Sequence, residues 1–149
     1  MLAGTLLTMT HPATVDKAML EHALTSVFAE WVRELDLRVL EARVGEVLLA
    51  LPVTALHVHG GGVLSGQTIM AAADTAMVLA VMTQLGGFRP MTTVQLQTTF
   101  LRPVPADARI AHVRARVLRM GKSLVFGDIQ VTHGDDILAA HTTTTYALL

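Results

Sequence analysis

Apolar residues recur along this chain in two rhythms. Over 14–35, Leu20, Leu24, Val27, Phe28, Trp31 and Leu35 follow helical spacing, with Thr14 placed to cap the start. The stripe, Trp31 included, reads as packing surface rather than a ligand box. Residues 1–13 show no such pattern and read as an arm. In 37–44 and 46–53, Leu37, Val39, Val47, Leu49 and Leu51 alternate with other residues, and Gly45 joins the segments, which predicts a hairpin. A loop with three consecutive glycines follows, Gly60 to Gly62. Ser65 then caps a predicted helix over 65–85 that stops at Gly86-Gly87. That helix is apolar on every side, so it must be buried. Its alanines at 71, 72, 73, 76 and 80 would let a sheet wrap it closely. The last third alternates in four segments, 92–102, 109–119, 123–132 and 137–146, with turn residues between them. Strands in a row with short turns imply an antiparallel sheet. The expected class is α+β: a long buried helix against five or six antiparallel strands, with an N-terminal helix.

Length and composition sharpen this picture. The 149 residues fit one structural domain, with 1–35 as arm and helix and 36–149 as the main body. Apolar residues make up 52% and charged residues 15%, so some apolar surface is expected to be buried between subunits. A formal net charge of −1 argues against nucleic acid as a partner. The absence of Cys excludes disulfides, thiolate metal sites and a Cys nucleophile. The first residues lack the positive start of a signal peptide, and no apolar run reaches the ~18–20 residues of a membrane span. A cytoplasmic protein with no membrane partner is expected.

One residue breaks the pattern. Asp74 lies in the run 69–82, where every residue but Asp74 and Thr75 is apolar. A carboxylate is costly to remove from water, and Asp is a poor residue for a helix interior. Such violations are expected mainly at functional sites. Upstream, the helix start at Gly66 and Gln67 offers free N–H groups that suit an anion or a developing oxyanion. A carboxylate and an oxyanion site are the minimal parts for acyl hydrolysis. Eight residues at ~1.5 Å each separate them by ~12 Å along the axis. They can share one carbonyl only if Asp74 meets the helix start of a second subunit, so this mechanism demands a dimer.

Other candidates carry less. His57 and His59 could share a metal, but no third ligand is evident and no metal is expected. Arg114 and Arg116 share a strand face with His112, opposite Ala111, Val113, Ala115 and Val117. With Arg102 and Lys122 they are candidates for the phosphates of a nucleotide-bearing substrate, against the plainer reading of a solvated face. Asp135 and Asp136 read as turn residues. Ser65 and Ser123 lack an identifiable His–acid pair for a triad.

The run from Ser65 to Ala76 resembles the central-helix motif of the hotdog-fold acyl-CoA thioesterases of the PaaI-like, phenylacetyl-CoA type. The blocks 92–103, 120–123 and 139–146 resemble later strands of that family, and the likeness covers about 36–147. It implies acyl-CoA as substrate, no cofactor, and a homodimer or dimer of dimers. By the resemblance Asp74 is the catalytic acid residue, as general base or nucleophile, and Gly66 supplies the oxyanion N–H. Many relatives carry His-Gly-Gly where this chain has Ser65-Gly66-Gln67; Gln67 keeps its N–H in the catalytic donor site, and Ser65 stands at the substrate. His59 falls where relatives carry an Asn or Gln that orients carbonyl or water. Thr93 falls where some place a hydroxyl on the attacking water. Met70, Met77 and Val78 are expected to line an apolar acyl pocket with residues of the partner subunit. Two alternatives stand beside hydrolysis: a non-catalytic acyl-CoA binding module, and an enoyl-CoA hydratase. The hydratase pattern would want a His five residues after Asp74, where this chain has Leu79.

Overall fold

A computed structural model describes residues 14–149, and the arm 1–13 lies outside them. In chain order the elements are α1 (Lys17–Ser26), α2 (Glu30–Arg33), β1 (Arg38–Arg43), β2 (Glu46–Pro52), α3 (Gly66–Leu85), β3 (Met91–Phe100), β4 (Ile110–Met120), β5 (Leu124–His133) and β6 (Ile137–Leu148). The six strands form one antiparallel sheet in the order β1-β2-β4-β5-β6-β3. The sheet curves round α3, so the α+β expectation holds with six strands.

The central helix forms where the sequence marks it. Ser65 Oγ accepts the Thr68 N–H at 3.2 Å, and Gly86 ends the helix in the left-handed region, φ 83°. Ala72, Ala73, Ala76 and Ala80 are fully buried, so strand backbones approach the helix closely. On the side where Gly127 of β5 carries no side chain, Met77 fills the space, and a Cβ there would collide with it. Leu79, Met77 and Leu49 are each fully buried and contribute roughly 1.5–3 kcal/mol apiece to the core. Met77 is therefore a core residue and not the pocket wall expected of it. The length and composition of α3 would allow it to cross a membrane, which the count of apolar residues had missed. Here it is the wrapped core helix.

One stripe of α3 is left only half-covered: Met70, Ala71, Asp74 and Val78. The neighbouring edge strand β3 leaves Val94 and Phe100 exposed. The expectation of apolar cover all round is thus corrected along this stripe.

The N-terminal helix also departs from expectation. It does not run from Thr14 to Leu35 but breaks into α1 and α2. Asp16, not Thr14, is the cap, accepting the Met19 N–H at 2.9 Å. At the break, the hydroxyls of Thr25 and Ser26 both donate to the His22 carbonyl at 2.8 Å, offering the backbone an exit from the helix. Leu20, Ala23 and Leu24 bury α1 in the same core, and Glu21 accepts the Val39 N–H of β1 at 2.7 Å.

Candidate active site

Asp74 stands on the half-covered stripe, four residues after Ala71 and four before Val78. Across from it run β3 and β6, the last pair of the sheet. Thr93 and Tyr146 are direct cross-strand partners there. Both reach the same carboxylate oxygen. Thr93 Oγ1 donates to Asp74 Oδ1 at 2.9 Å, and the Tyr146 hydroxyl donates to Oδ1 in a very short bond. Tyr146 also donates to the backbone carbonyl of Asp74 at 2.9 Å. Just past Thr93 the register slips, so that Val94 is an extra residue opposite the step from Tyr146 to Thr145. Such a bulge twists a strand locally and re-aims its side chains.

Burial, then the adjacent Asp74 charge, pushes the Tyr146 hydroxyl above its ordinary range. Tyr146 is therefore a neutral donor at any physiological pH. No hydrogen bond reaches Asp74 Oδ2 among the described residues, and none of their buried polar side-chain atoms lacks a partner. Oδ2 is thus open to the space beside it. That space is a cavity of about 330 Å³. Val27, Phe28, Trp31 and Val32 wall it from the α1–α2 junction, Val78 from α3, and Phe88 and Met91 from the approach to β3. The chain has six aromatic residues, and four of them, Phe28, Trp31, Phe88 and Tyr146, line this one cavity. Trp31 is 62% exposed, a wall of this cavity rather than the packing surface its spacing suggested.

A second cavity, about 270 Å³, lies at the start of α3 between Gly66, Ile69, Phe100 and Arg102. The Gly66 N–H and Gln67 N–H open the helix and have no partner within it, while Ser65 is engaged as the cap through Thr68. Arg102 borders this cavity and donates to the Leu138 carbonyl at 3.0 Å.

The structure thus brings Asp74, Thr93 and Val78 together, with Met70 on the same stripe. Gly66, Gln67, Ser65 and Arg102 gather at the other end of α3. His59 is exposed in its loop, its Nδ1 accepting the Gly61 N–H at 2.8 Å, and it makes no contact with Asp74. His57 turns instead to the Glu34 carbonyl at 3.1 Å. Arg114 and Arg116 lie on the outer face of the sheet, where Arg114 bonds Glu46 at 2.5 Å and Arg116 stands 3.8 Å from it. Lys122 is exposed in the turn between β4 and β5.

The residue that sequence reasoning missed is Tyr146. A signal was present: it is the only Tyr in the chain and follows Thr142 and Thr144 at alternate positions of a strand. A Tyr on an inward face needs a partner for its hydroxyl, and Asp74 was the one carboxylate expected in the core.

A long helix wrapped by a six-stranded antiparallel sheet is the hotdog fold, and its one half-covered carboxylate opens on an apolar cavity. Known proteins share this arrangement of chain. The family model of the Thioesterase superfamily matches residues 61–140. A protein of Thermoplasma volcanium named "putative esterase" is 30% identical over 106 residues, which is 71% of this chain and 77% of that protein. The phenylacetic acid degradation protein PaaI of Thermus thermophilus, solved as a point mutant, is 26% identical. It covers 81% of this chain and 100% of its own, with a TM-score of 0.72. A Haemophilus influenzae thioesterase has the same fold, with a TM-score of 0.81 over 93% of each chain at 19% identity. The chain belongs to the Thioesterase superfamily. It is a PaaI-like thioester hydrolase.

Proposed function

We propose that the protein is a cytoplasmic acyl-CoA thioesterase working as a homodimer, alone or paired into a dimer of dimers. Asp74 is its general base. The observation that carries this reading is the Asp74 carboxylate, gripped on one oxygen and open on the other to an apolar cavity.

In the reaction, water attacks the thioester carbonyl carbon while Asp74 takes one of its protons. The carbonyl oxygen gathers charge and is held by the N–H groups of Gly66 and Gln67. As the C–S bond breaks, its electron pair leaves on sulfur, which takes the proton and departs as the coenzyme A thiol. The ~12 Å along the helix from its start to Asp74 requires that these N–H groups come from a second copy. The half-covered stripe of α3 and the exposed Val94 and Phe100 of the edge strand support such pairing.

The acyl group is aromatic. Phe28, Trp31 and Phe88 offer ring faces, and the cavity wall holds no charged side chain besides Asp74. The name of the Thermus relative, a phenylacetic acid degradation protein, points the same way. Arg102, beside the helix-start cavity, is the cation best placed for the phosphates of coenzyme A.

The test is thiol release from aryl-, short-chain and long-chain acyl-CoAs by wild type and Asp74→Asn. With no Cys in the chain, the thiol reagent sees only product. Fastest turnover on aryl thioesters, lost in the variant, is expected. No turnover on any of them would leave a binding module in its place.

A further inference from the structure

We propose that Tyr146 is a positioning residue that, with Thr93, holds Oδ1 of Asp74 and so assigns Oδ2 as the oxygen that receives the proton from water. The inference rests on the reading of Asp74 as the base. Its own support is geometric. Two hydroxyls converge on one carboxylate oxygen, and neither reaches the other. Tyr146 is 2% exposed, so its ring is fixed by packing, unlike a surface side chain that finds a partner by chance. The same O–H, shared between the two acceptors, also lies 2.9 Å from the backbone carbonyl of Asp74, which ties side chain to helix and leaves the carboxylate little freedom to turn.

A freely turning carboxylate would present either oxygen to water, or rotate away from it. Orientation of a reacting group is worth orders of magnitude in rate. A carboxylate held by donors on one side keeps the other in a fixed direction, toward the cavity. The donors must also stay protonated while Asp74 is charged. Thr93 does so at every pH, and Tyr146 does so because burial and the carboxylate itself both oppose its ionisation.

The experiment compares wild type, Tyr146→Phe, Asp74→Asn and the double variant on the best aryl-CoA, with a thermal melt of each. The phenyl ring keeps the packing and removes only the hydroxyl. Loss of one hydrogen bond to a charged group should lower kcat about 10- to 100-fold, with KM changed less than about two-fold because the acyl walls are untouched. In the Asp74→Asn background the same change should cost nothing further. A Tyr146→Phe enzyme with unchanged kcat would overturn the proposal. So would an equal loss in both backgrounds, which would mark Tyr146 as a packing residue alone. If Tyr146→Phe fails to fold, Thr93→Val removes the other donor from the same oxygen and must show the same fall in kcat with KM as little changed. An Asp74→Asn enzyme as fast as wild type would instead remove the base itself.

Discussion

Glu46 and Asp74 are both carboxylates drawn partly out of water, one at each side of the sheet. Glu46 opens β2, its side chain 12% exposed, and faces cations. Arg43 and Arg114 bond it, both at 2.5 Å, and Arg116 stands 3.8 Å away. Burial pushes its carboxyl up, but the hydrogen bonds and charges of Arg43 and Arg114 outweigh burial and hold it below the usual carboxylate range. Asp74 has no salt bridge among the described residues. Its partners are two neutral hydroxyls, and both take the same oxygen. The difference separates two uses of one functional group. A carboxylate surrounded by guanidinium groups is spent on joining β1, β2 and β4. One held by neutral donors on a single oxygen keeps the other open to the cavity.

Exchange of each carboxylate for its amide should split the two uses. Asp74→Asn is expected to reduce acyl-CoA hydrolysis by about 10²–10⁴-fold, the scale of a lost acid–base group, with the melting temperature little changed. Glu46→Gln should do the reverse: steady-state kinetics near wild type, with a loss of roughly 2 kcal/mol from its charge-assisted bonds. For a chain of this length that is a melting temperature lower by about 4–8 °C. If Asp74→Asn melts far below wild type while Glu46→Gln loses activity, the contrast is wrong.

Acid should act mainly through Glu46. Its folded-state value is held below the 4.5 of the free group. The stability this confers is therefore fully present above that value and fades as pH falls through the lower folded one. Melting temperatures across pH 6 to 3 should fall on the acid side in wild type and fall less steeply in Glu46→Gln. Parallel curves would show that the arginines do not matter to it. The smallest effect is expected at Lys122, which is exposed and pairs with neither carboxylate. Lys122→Ala should raise KM for acyl-CoA no more than about three-fold, a screened surface charge being worth ~1 kcal/mol or less. A truncated thioester without the nucleotide should show no change.

The framework of the molecule could be read directly. Ser65 and Gly86 mark the ends of α3 because capping depends on neighbours in sequence, and alternation in the last third sets out the strands for the same reason. Asp74 stood out because it opposes its surroundings. Pairings across the chain were harder. Tyr146 lies 72 residues from Asp74 and meets it only because β6 pairs with β3. Thr93 came from the resemblance rather than from any local feature. Met77 was misplaced because helical spacing gives a face but not what covers it, and Gly127 of β5 opens a slot that only the fold reveals. The helix over 14–35 failed for a local reason that could have been seen. Adjacent Thr25 and Ser26 can both bond back to the same carbonyl, and regular spacing of Leu and Val conceals that.

The α1–α2 junction supplies Val27, Phe28, Trp31 and Val32 to the cavity, and all four precede the matched span 61–140, which holds Gly66, Asp74 and Thr93. The aromatic wall is thus split: Phe28 and Trp31 come from the stretch before the matched span and Phe88 from within it. Changes in the first stretch reshape one wall of the cavity while leaving Asp74 and Thr93 in place. For the engineer the same separation makes residues 27–32 a library of six positions, to be varied on an otherwise constant enzyme.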